Sequence, residues 1–272
     1  MRDIRPGTVL LLCVCVAFLV GCGVRPTATQ AAPAVTLTVF AAASLTEAFT
    51  ELGKQFETDH PGVKAMFNFA GSQALSAQLA EGAPADVFGS ANIKEMTNAI
   101  AAGRVADGSQ KTFAHNKLVA IYPTDNPAGL ARLQDLAGSG LKLVLAAEEV
   151  PVGKYSLEFL DKASQDAAFG ATFKDDVLKN VVSYEDNVKS VLTKVVLGEA
   201  DAGIVYLTDI SQDNADKVGR LDIPDALNAV GTYPIAPVSD AAQPELAQAF
   251  IDLVLSDQGQ AILAMYGFFP AD

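Results

Sequence analysis

The segment TLTVFAAASLTEAF, residues 36–49, joins a predicted β-strand to a predicted α-helix and shows a pattern that recurs along the chain. TLTVF favours a strand, and from Leu45 onward apolar residues recur at the three- and four-residue spacing of an amphipathic helix. Three alanines and Ser44 lie between the two. Small side chains at such a turn either permit close packing or let a ligand approach the backbone, and both interpretations remain open at this point.

Strand-like and helix-like segments alternate from residue 35 to the end of the chain. The predicted strands are residues 36–40, 63–70, 85–91, 117–123, 141–147, 202–207 and 233–238, and the last predicted helix covers residues 243–255. Such alternation predicts an α/β protein with mostly parallel sheets. Ligands of these proteins bind outside the carboxyl ends of the strands, so the strand-to-helix turns are the candidate site.

The N-terminus carries an export signal. Arg2 and Arg5 precede an unbroken apolar run of twelve residues, 9–20. This run is shorter than the roughly 20 residues that a membrane-spanning helix needs, which is typical of a signal peptide. It ends in LVGC, residues 19–22, which resembles the bacterial lipobox, where cleavage precedes the cysteine and the cysteine carries the lipid.

We therefore expect a signal peptide over residues 1–21, a lipidated Cys22 and a flexible tether, rich in Pro, Ala and Thr, over residues 22–34. An ordinary secretory signal with a chance cysteine is the alternative. Cys13 and Cys15 would leave with the signal peptide, so the exported chain would have no internal disulfide and no thiolate metal cluster.

Composition excludes one class of partner. The chain has 32 acidic and 19 basic residues, a formal net charge of −13. Nucleic-acid binding requires a basic surface, so we expect no nucleic-acid partner. Half of the residues are hydrophobic, which is ample for a large core.

Four strand-to-helix turns combine small residues with hydrogen-bond donors: residues 41–47, 70–72, 150–153 and 185–188. In the first, Ser44 and Glu47 have the spacing of a capping box. In the last, Asp186 is the expected N-cap. Helix N-termini present unpaired N–H groups and a positive dipole end, so several of them together favour a small oxyanion held by neutral donors.

The segments FAAASLTEAF, FAGSQALSAQLAEGAPADVFGSA, VPVGKYS and GEADAGIVYLTD occur in this order. Together they resemble the bacterial molybdate-binding proteins, which are the solute receptors of ABC importers, over about residues 35 to 270. The resemblance implies a two-lobed periplasmic-binding-protein fold of type II, in which each lobe is a mostly parallel sheet flanked by helices and crossing hinge strands join the lobes. Lobe 1 would comprise residues 35–118 and 232–272, and lobe 2 residues 119–231.

The resemblance also implies five ligand contacts. Ser44 and Ser72 would donate hydroxyl and amide hydrogens, Val152 and Val188 backbone N–H groups, and Tyr206 its phenol from the opposite lobe. The alanines of residues 41–43 would then clear a path for the ligand. The best-known members have alanine where this chain has Val152, which would narrow the cavity and keep the amide.

The same resemblance implies a monomeric extracytoplasmic receptor, which the lipid expected at Cys22 would anchor to the outer face of the cytoplasmic membrane. It would deliver molybdate, and tungstate, to a membrane permease and its ATPase, and would need no cofactor. A related archaeal tungstate/molybdate class adds carboxylates to the metal, for which Glu185 and Asp186 are the candidates here.

Three alternatives stay open. An enzyme is disfavoured because the only two histidines, His60 and His115, lie in no catalytic motif. The same fold could bind sulfate, or ferric iron through tyrosines and carboxylates. Nothing in the sequence brings the available tyrosines together: Tyr155, Tyr184, Tyr206 and Tyr233. A structural lipoprotein would explain LVGC but not the donor-rich turns.

Overall fold

The computed structural model describes residues 35–271, so the predicted signal peptide, Cys22 and the tether lie outside the described residues. The strands are β1 Val35–Ala42, β2 Val63–Ala70, β3 Val87–Gly89, β4 Lys111–Pro123, β5 Leu143–Ala146, β6 Val181–Glu185, β7 Ala202–Tyr206, β8 Val218–Asp222, β9 Val230–Pro237 and β10 Phe269–Pro270. The α-helices are α1 Thr46–Asp59, α2 Ser72–Ala80, α3 Ile93–Ala101, α4 Pro151–Gln165, α5 Phe173–Lys179, α6 Val188–Val196, α7 Pro244–Leu255 and α8 Asp257–Met265. Short 3₁₀ turns cover Ala43–Leu45, Leu133–Ala137 and Leu207–Asp209.

The strands form a mixed sheet in the order β2-β1-β3-β9-β4-β7-β5-β6, with β8 and β10 paired to β4. The expected parallel pairing holds among β1, β2 and β3, and among β5, β6 and β7. Pairs that involve β4 or β9 are antiparallel. A helix follows each of the parallel strands β1, β2, β3, β5 and β6, whereas β4 and β9 lie next to each other in the middle of the sheet.

Strand β4 belongs to both halves of this sheet. It pairs with β9 from Lys111 to Lys117 and with β7 from Leu118 to Ile121. The apolar core is divided in a similar way. Apart from Ala43, the buried members of one group lie within residues 118–229, and those of two others within residues 37–114 and 233–268.

Two packing features hold the strand-to-helix turns in place. Phe250 of α7 packs edge-to-face on Phe49 and Phe56 of α1, with ring centroids 5.7 Å and 5.4 Å away. Gly153 lies so close to the carbonyl oxygen of Ala147 that a Cβ atom would overlap it, which explains a glycine in the VPVG turn. The first contact packs α7 on α1, and the second holds the start of α4 close to the residue that follows β5.

Within residues 35–271, no helix is long and apolar enough to cross a membrane.

Candidate ligand-binding site

All five predicted contact residues line one cavity. These are Ser44, Ser72, Val152, Val188 and Tyr206, and each is at most 4 % exposed. The other lining residues are Ala42, Ala43, Ala70, Gly71, Ala91, Val150 and Pro151. None of these residues carries a charged side chain.

Three helices begin at this cavity: α2 at Ser72, α4 at Pro151 and α6 at Val188. No side chain caps α2 or α4, and Pro151 fits the first turn because its missing N–H would have no intrahelical acceptor. The first-turn amides of Ser72, Val152 and Val188 have no acceptor within their helices. They therefore supply N–H donors and positive dipole ends to a buried neutral space.

The predicted capping box at Ser44 is wrong. Helix α1 has Leu45 as its N-cap, with no side-chain cap, and Ser44 lies in the preceding 3₁₀ turn. The Ser44 hydroxyl oxygen lies 2.9 Å from the hydroxyl oxygen of Tyr233 on β9, while the Glu47 carboxylate accepts from Lys189 Nζ at 2.8 Å. Ser44 is thus free of helix capping.

The expected N-cap of α6 is displaced by one residue. Asn187 rather than Asp186 caps this helix, since its side-chain oxygen accepts from the amide of Ser190 at 3.0 Å. The amide used by the cap is two residues beyond Val188, so the Val188 N–H remains without an intrahelical acceptor.

Ser72 and Tyr206 each hold a hydroxyl hydrogen without a protein acceptor. Ser72 Oγ accepts from the amide of Ala91 at 3.0 Å, and no acceptor for its own hydrogen lies within the described part of the chain. The buried Tyr206 hydroxyl has no hydrogen-bond partner among residues 35–271. Burial raises the pKa of Tyr206 well above its usual value, and the neighbouring Tyr233, Tyr155 and Asp209 add to this, so the phenol keeps its proton.

The structure brings three of the four tyrosines together, which no pattern in the sequence indicated. The ring of Tyr206 lies 5.9 Å from that of Tyr233 and 6.5 Å from that of Tyr155, whereas Tyr184 is exposed. Burial raises the pKa of Tyr155 to about 12 and that of Tyr233 further. Phenols that keep their protons in the unliganded protein are hydrogen-bond donors.

Neither candidate carboxylate lines the cavity. Glu185 accepts from Ser183 Oγ and Lys194 Nζ, both at 2.6 Å. The carbonyl oxygen of Asp186 accepts from Gln73 Nε2 at 2.8 Å. Within residues 35–271, no group of three or more His, Cys, Asp or Glu side chains is arranged to hold a metal ion.

Sequence reasoning missed three groups beside the predicted contacts: the Ala91 amide, Tyr233 and Asn116. Asn116 Nδ2 lies 3.3 Å from the Tyr233 hydroxyl oxygen. From the sequence, Tyr233 is only one of four possible iron ligands. Its place at the start of a predicted strand, 233–238, gives no sign that it lies beside Ser44. Its partner Ser44 is 189 residues away in the sequence, which no local pattern could reveal.

The family follows from comparison with known proteins. The family model of the bacterial extracellular solute-binding proteins matches residues 37–269. The chain belongs to this family. This solute-binding protein is also 38 % identical over 272 residues to the molybdate-binding protein ModA of Mycobacterium tuberculosis, covering 98 % of this chain and 99 % of that one. The expectation of a binding protein and not an enzyme agrees with both matches.

Solved structures confirm the periplasmic-binding-protein fold. The periplasmic molybdate-binding protein of Azotobacter vinelandii aligns with a TM-score of 0.74 at 21 % identity, over 87 % of this chain and all of that one. The sulfate-binding protein SubI of Mycobacterium tuberculosis aligns with a TM-score of 0.77 at 20 % identity, over 88 % of each chain. At these identities the fold alone is shared, and the fold does not choose between the two anions.

Proposed function

We propose that this protein is the receptor of an ABC importer and binds molybdate, and equally tungstate, in the cavity described above. The observation that carries the proposal is the buried hydroxyl of Tyr206, which has no partner among residues 35–271 and lines a cavity free of charged side chains. A buried donor without an acceptor is costly. A small oxyanion without a proton supplies acceptors to Tyr206, to Ser72 and to the first-turn amides at once.

Sulfate is the second candidate, because it has the same charge, tetrahedral shape and lack of a proton. The M. tuberculosis protein at 38 % identity is named for molybdate, which favours the larger anion. Ferric iron is disfavoured because no carboxylate of residues 35–271 lines the cavity and both Glu185 and Asp186 lie outside it.

We propose further that the ligand lies between two lobes, residues 35–118 with 232–272 and residues 119–231. The division of the apolar core supports this boundary, as does the passage of β4 between the two halves of the sheet. Ser44 and Ser72 would belong to one lobe, and Val152, Val188 and Tyr206 to the other. The Gln73–Asp186 hydrogen bond would then join the lobes beside the ligand.

In this account the receptor acts as a monomer and passes its ligand to a membrane permease with its ATPase. The LVGC segment supports an anchor at Cys22 on the outer face of the cytoplasmic membrane. A lipid-anchored receptor stays close to the permease in the same membrane. The flexible tether, residues 22–34, would let the folded part of the receptor reorient toward the permease.

Calorimetric titration of the purified protein with molybdate, tungstate, sulfate and hydrogen phosphate tests the proposal. We expect molybdate and tungstate to bind alike, sulfate more weakly and hydrogen phosphate most weakly, because its proton would meet a donor. Tighter binding of hydrogen phosphate than of molybdate, or no binding of molybdate, would refute the proposed function.

A further inference from the structure

We propose that Asn116 and Tyr233 set the direction of the hydrogen bond at Ser44, so that this serine donates to the ligand and does not accept from it. The inference rests on the proposed function and assigns two residues beyond the predicted contacts to ligand selection. They are positioning residues, because neither lines the cavity and both act through Ser44.

The orientation of the Asn116 amide is fixed by its neighbour. The backbone N–H of Lys117 donates to Asn116 Oδ1 at 2.9 Å, so the other amide atom must be the NH₂ group. Asn116 Nδ2 donates to Thr208 Oγ1 at 2.7 Å and to the Tyr233 hydroxyl oxygen at 3.3 Å. Tyr233 therefore accepts from Asn116.

The hydrogen of Tyr233 then has one destination. Tyr233 is fully buried, and within residues 35–271 the only acceptor in hydrogen-bond geometry with its hydroxyl is Ser44 Oγ, at 2.9 Å, because the neighbouring Tyr206 hydroxyl makes no hydrogen bond there. Leaving a buried donor unpaired is unfavourable, so Tyr233 donates to Ser44. Ser44 Oγ accepts this bond. Its own hydrogen has no acceptor among the described residues, so it is available to a ligand in the cavity.

The direction of the Tyr233–Ser44 hydrogen bond matters because a serine hydroxyl can either donate a hydrogen bond to a ligand or accept one from it. If Tyr233 accepted from Ser44, the serine could turn a lone pair toward the ligand and receive a proton from it. The Asn116–Tyr233–Ser44 relay excludes that arrangement. A protonated oxyanion thus meets a donor at Ser44, and a proton-free oxyanion meets the partner it needs.

Asn116→Asp is the variant designed to reverse the relay. Its carboxylate can accept from Lys117 N–H, Thr208 and the Tyr233 hydroxyl, so Tyr233 can accept from Ser44, and Ser44 can accept from a ligand. Sulfate and hydrogen phosphate both carry two negative charges at pH 8, so the added charge weakens both alike. Only hydrogen phosphate carries a proton, and the ratio of the two affinities isolates the direction of the bond.

The experiment measures that ratio by calorimetric titration at pH 8 in the wild type, in Asn116→Asp and in Asn116→Asp with Ser44→Ala. We expect the preference for sulfate over hydrogen phosphate to narrow by about tenfold or more in Asn116→Asp. Within the Ser44→Ala background, adding Asn116→Asp should leave the ratio unchanged, because the relay acts through Ser44. Tyr155→Phe, which removes a nearby phenol that does not line the cavity, should keep the wild-type ratio.

Asn116→Leu is the second variant, should the buried carboxylate prevent folding. It removes the donor to Tyr233 without adding charge, and we expect a smaller narrowing in the same direction. An unchanged ratio in a folded variant that binds sulfate would overturn the relay, as would an equal change in the Ser44→Ala background. A wild type that binds no oxyanion would instead refute the proposed function on which the relay rests.

Discussion

Lys189 Nζ lies 2.8 Å from both carboxylate oxygens of Glu47, and this ion pair joins α6, which begins at the cavity, to α1. The same Nζ lies 3.2 Å from Oδ1 of the fully buried Asp209, whose Oδ2 accepts from the Tyr206 amide at 3.0 Å. Burial alone would lower the pKa of Lys189, but Asp209 and Glu47 outweigh it and raise that pKa. One half-buried cation, Lys189, therefore connects the start of α6, the position of Tyr206 and α1.

Removing this cation should cost more than removing Glu47. Lys189→Met leaves the Asp209 carboxylate buried without its counter-ion, so we expect the free energy of unfolding to fall by about 3 to 5 kcal/mol. Glu47→Gln leaves Lys189 paired with Asp209 and removes a partly exposed partner, so a loss below about 1 kcal/mol is expected. Urea unfolding of both variants measures the difference, and equal losses would show that Asp209 does not depend on Lys189.

Gly71→Ala should weaken ligand binding while sparing the unliganded fold. A Cβ atom at Gly71 would overlap the carbonyl oxygen of Asp186, in the turn across the cavity. Relieving that overlap moves the two turns apart, and we expect about a tenfold loss of molybdate affinity, or about 1.4 kcal/mol.

Gly138→Ala is the matched control for this change. Gly138 has φ −60° and ψ 134°, close to φ −58° and ψ 137° at Gly71, and it is not among the residues that line the cavity. Its added Cβ would lie 3.0 Å from the carbonyl oxygen of Asp135. We expect Gly138→Ala to bind molybdate with wild-type affinity. If Gly71→Ala does so as well, the turns that contain Gly71 and Asp186 need not approach each other closely for ligand binding.

Molybdate affinity should stay constant between about pH 7.5 and 9.5. Burial holds the pKa of Tyr206 well above its usual value near 10, so its donor hydrogen is present throughout this range and is lost only at higher pH. Tyr206→Phe should therefore weaken binding by the same factor at each pH. A wild-type affinity that falls tenfold within the range, with Tyr206→Phe unaffected, would contradict protonation of this phenol.

The sequence was sufficient for elements whose apolar pattern is clear and whose ends are marked by turn residues. Strand β2 lies where it was predicted, Val63–Ala70, and the helices beginning near Thr46, Ser72 and Val188 follow their apolar spacing. The expected strand at residues 85–91 shortens to β3. Asp86 instead accepts from the Thr38 and Gln243 amides, and Ser90 Oγ donates to the carbonyl oxygen of Asn92.

Elements that depend on distant partners were missed. Strand β8 has charged residues and little periodicity, and it exists through its pairing with β4, about a hundred residues earlier. Helix α8 was missed. The last predicted helix, residues 243–255, corresponds to α7, and α8 begins directly after Ser256, whose side chain accepts from the Gly259 amide. The partners of Ser44 escaped prediction for the same reason, because Tyr233 and Asn116 reach it only in the folded chain.

Cys22 should determine membrane association. If lipid is attached there, Cys22→Ala releases the protein from membranes, because the apolar segment before it is too short to span a bilayer. Membrane association is measured by cell fractionation followed by a carbonate wash. The reference is the wild-type protein from cells grown with and without globomycin. Retention of Cys22→Ala in the washed membranes would rule out the lipid anchor.

The central claim is that neutral hydrogen-bond donors hold the oxyanion, and molybdate titration of Ser72→Ala against Lys154→Ala tests it most directly. Ser72 lines the cavity, whereas Lys154 is an exposed cation in the first turn of α4, two residues after Val152. Ser72→Ala removes a donor to a charged acceptor, which should cost about 1.5 to 3 kcal/mol, roughly tenfold to a hundredfold in affinity. Lys154→Ala should leave affinity near that of the wild type. Loss of binding in Lys154→Ala together with wild-type binding in Ser72→Ala would contradict the account.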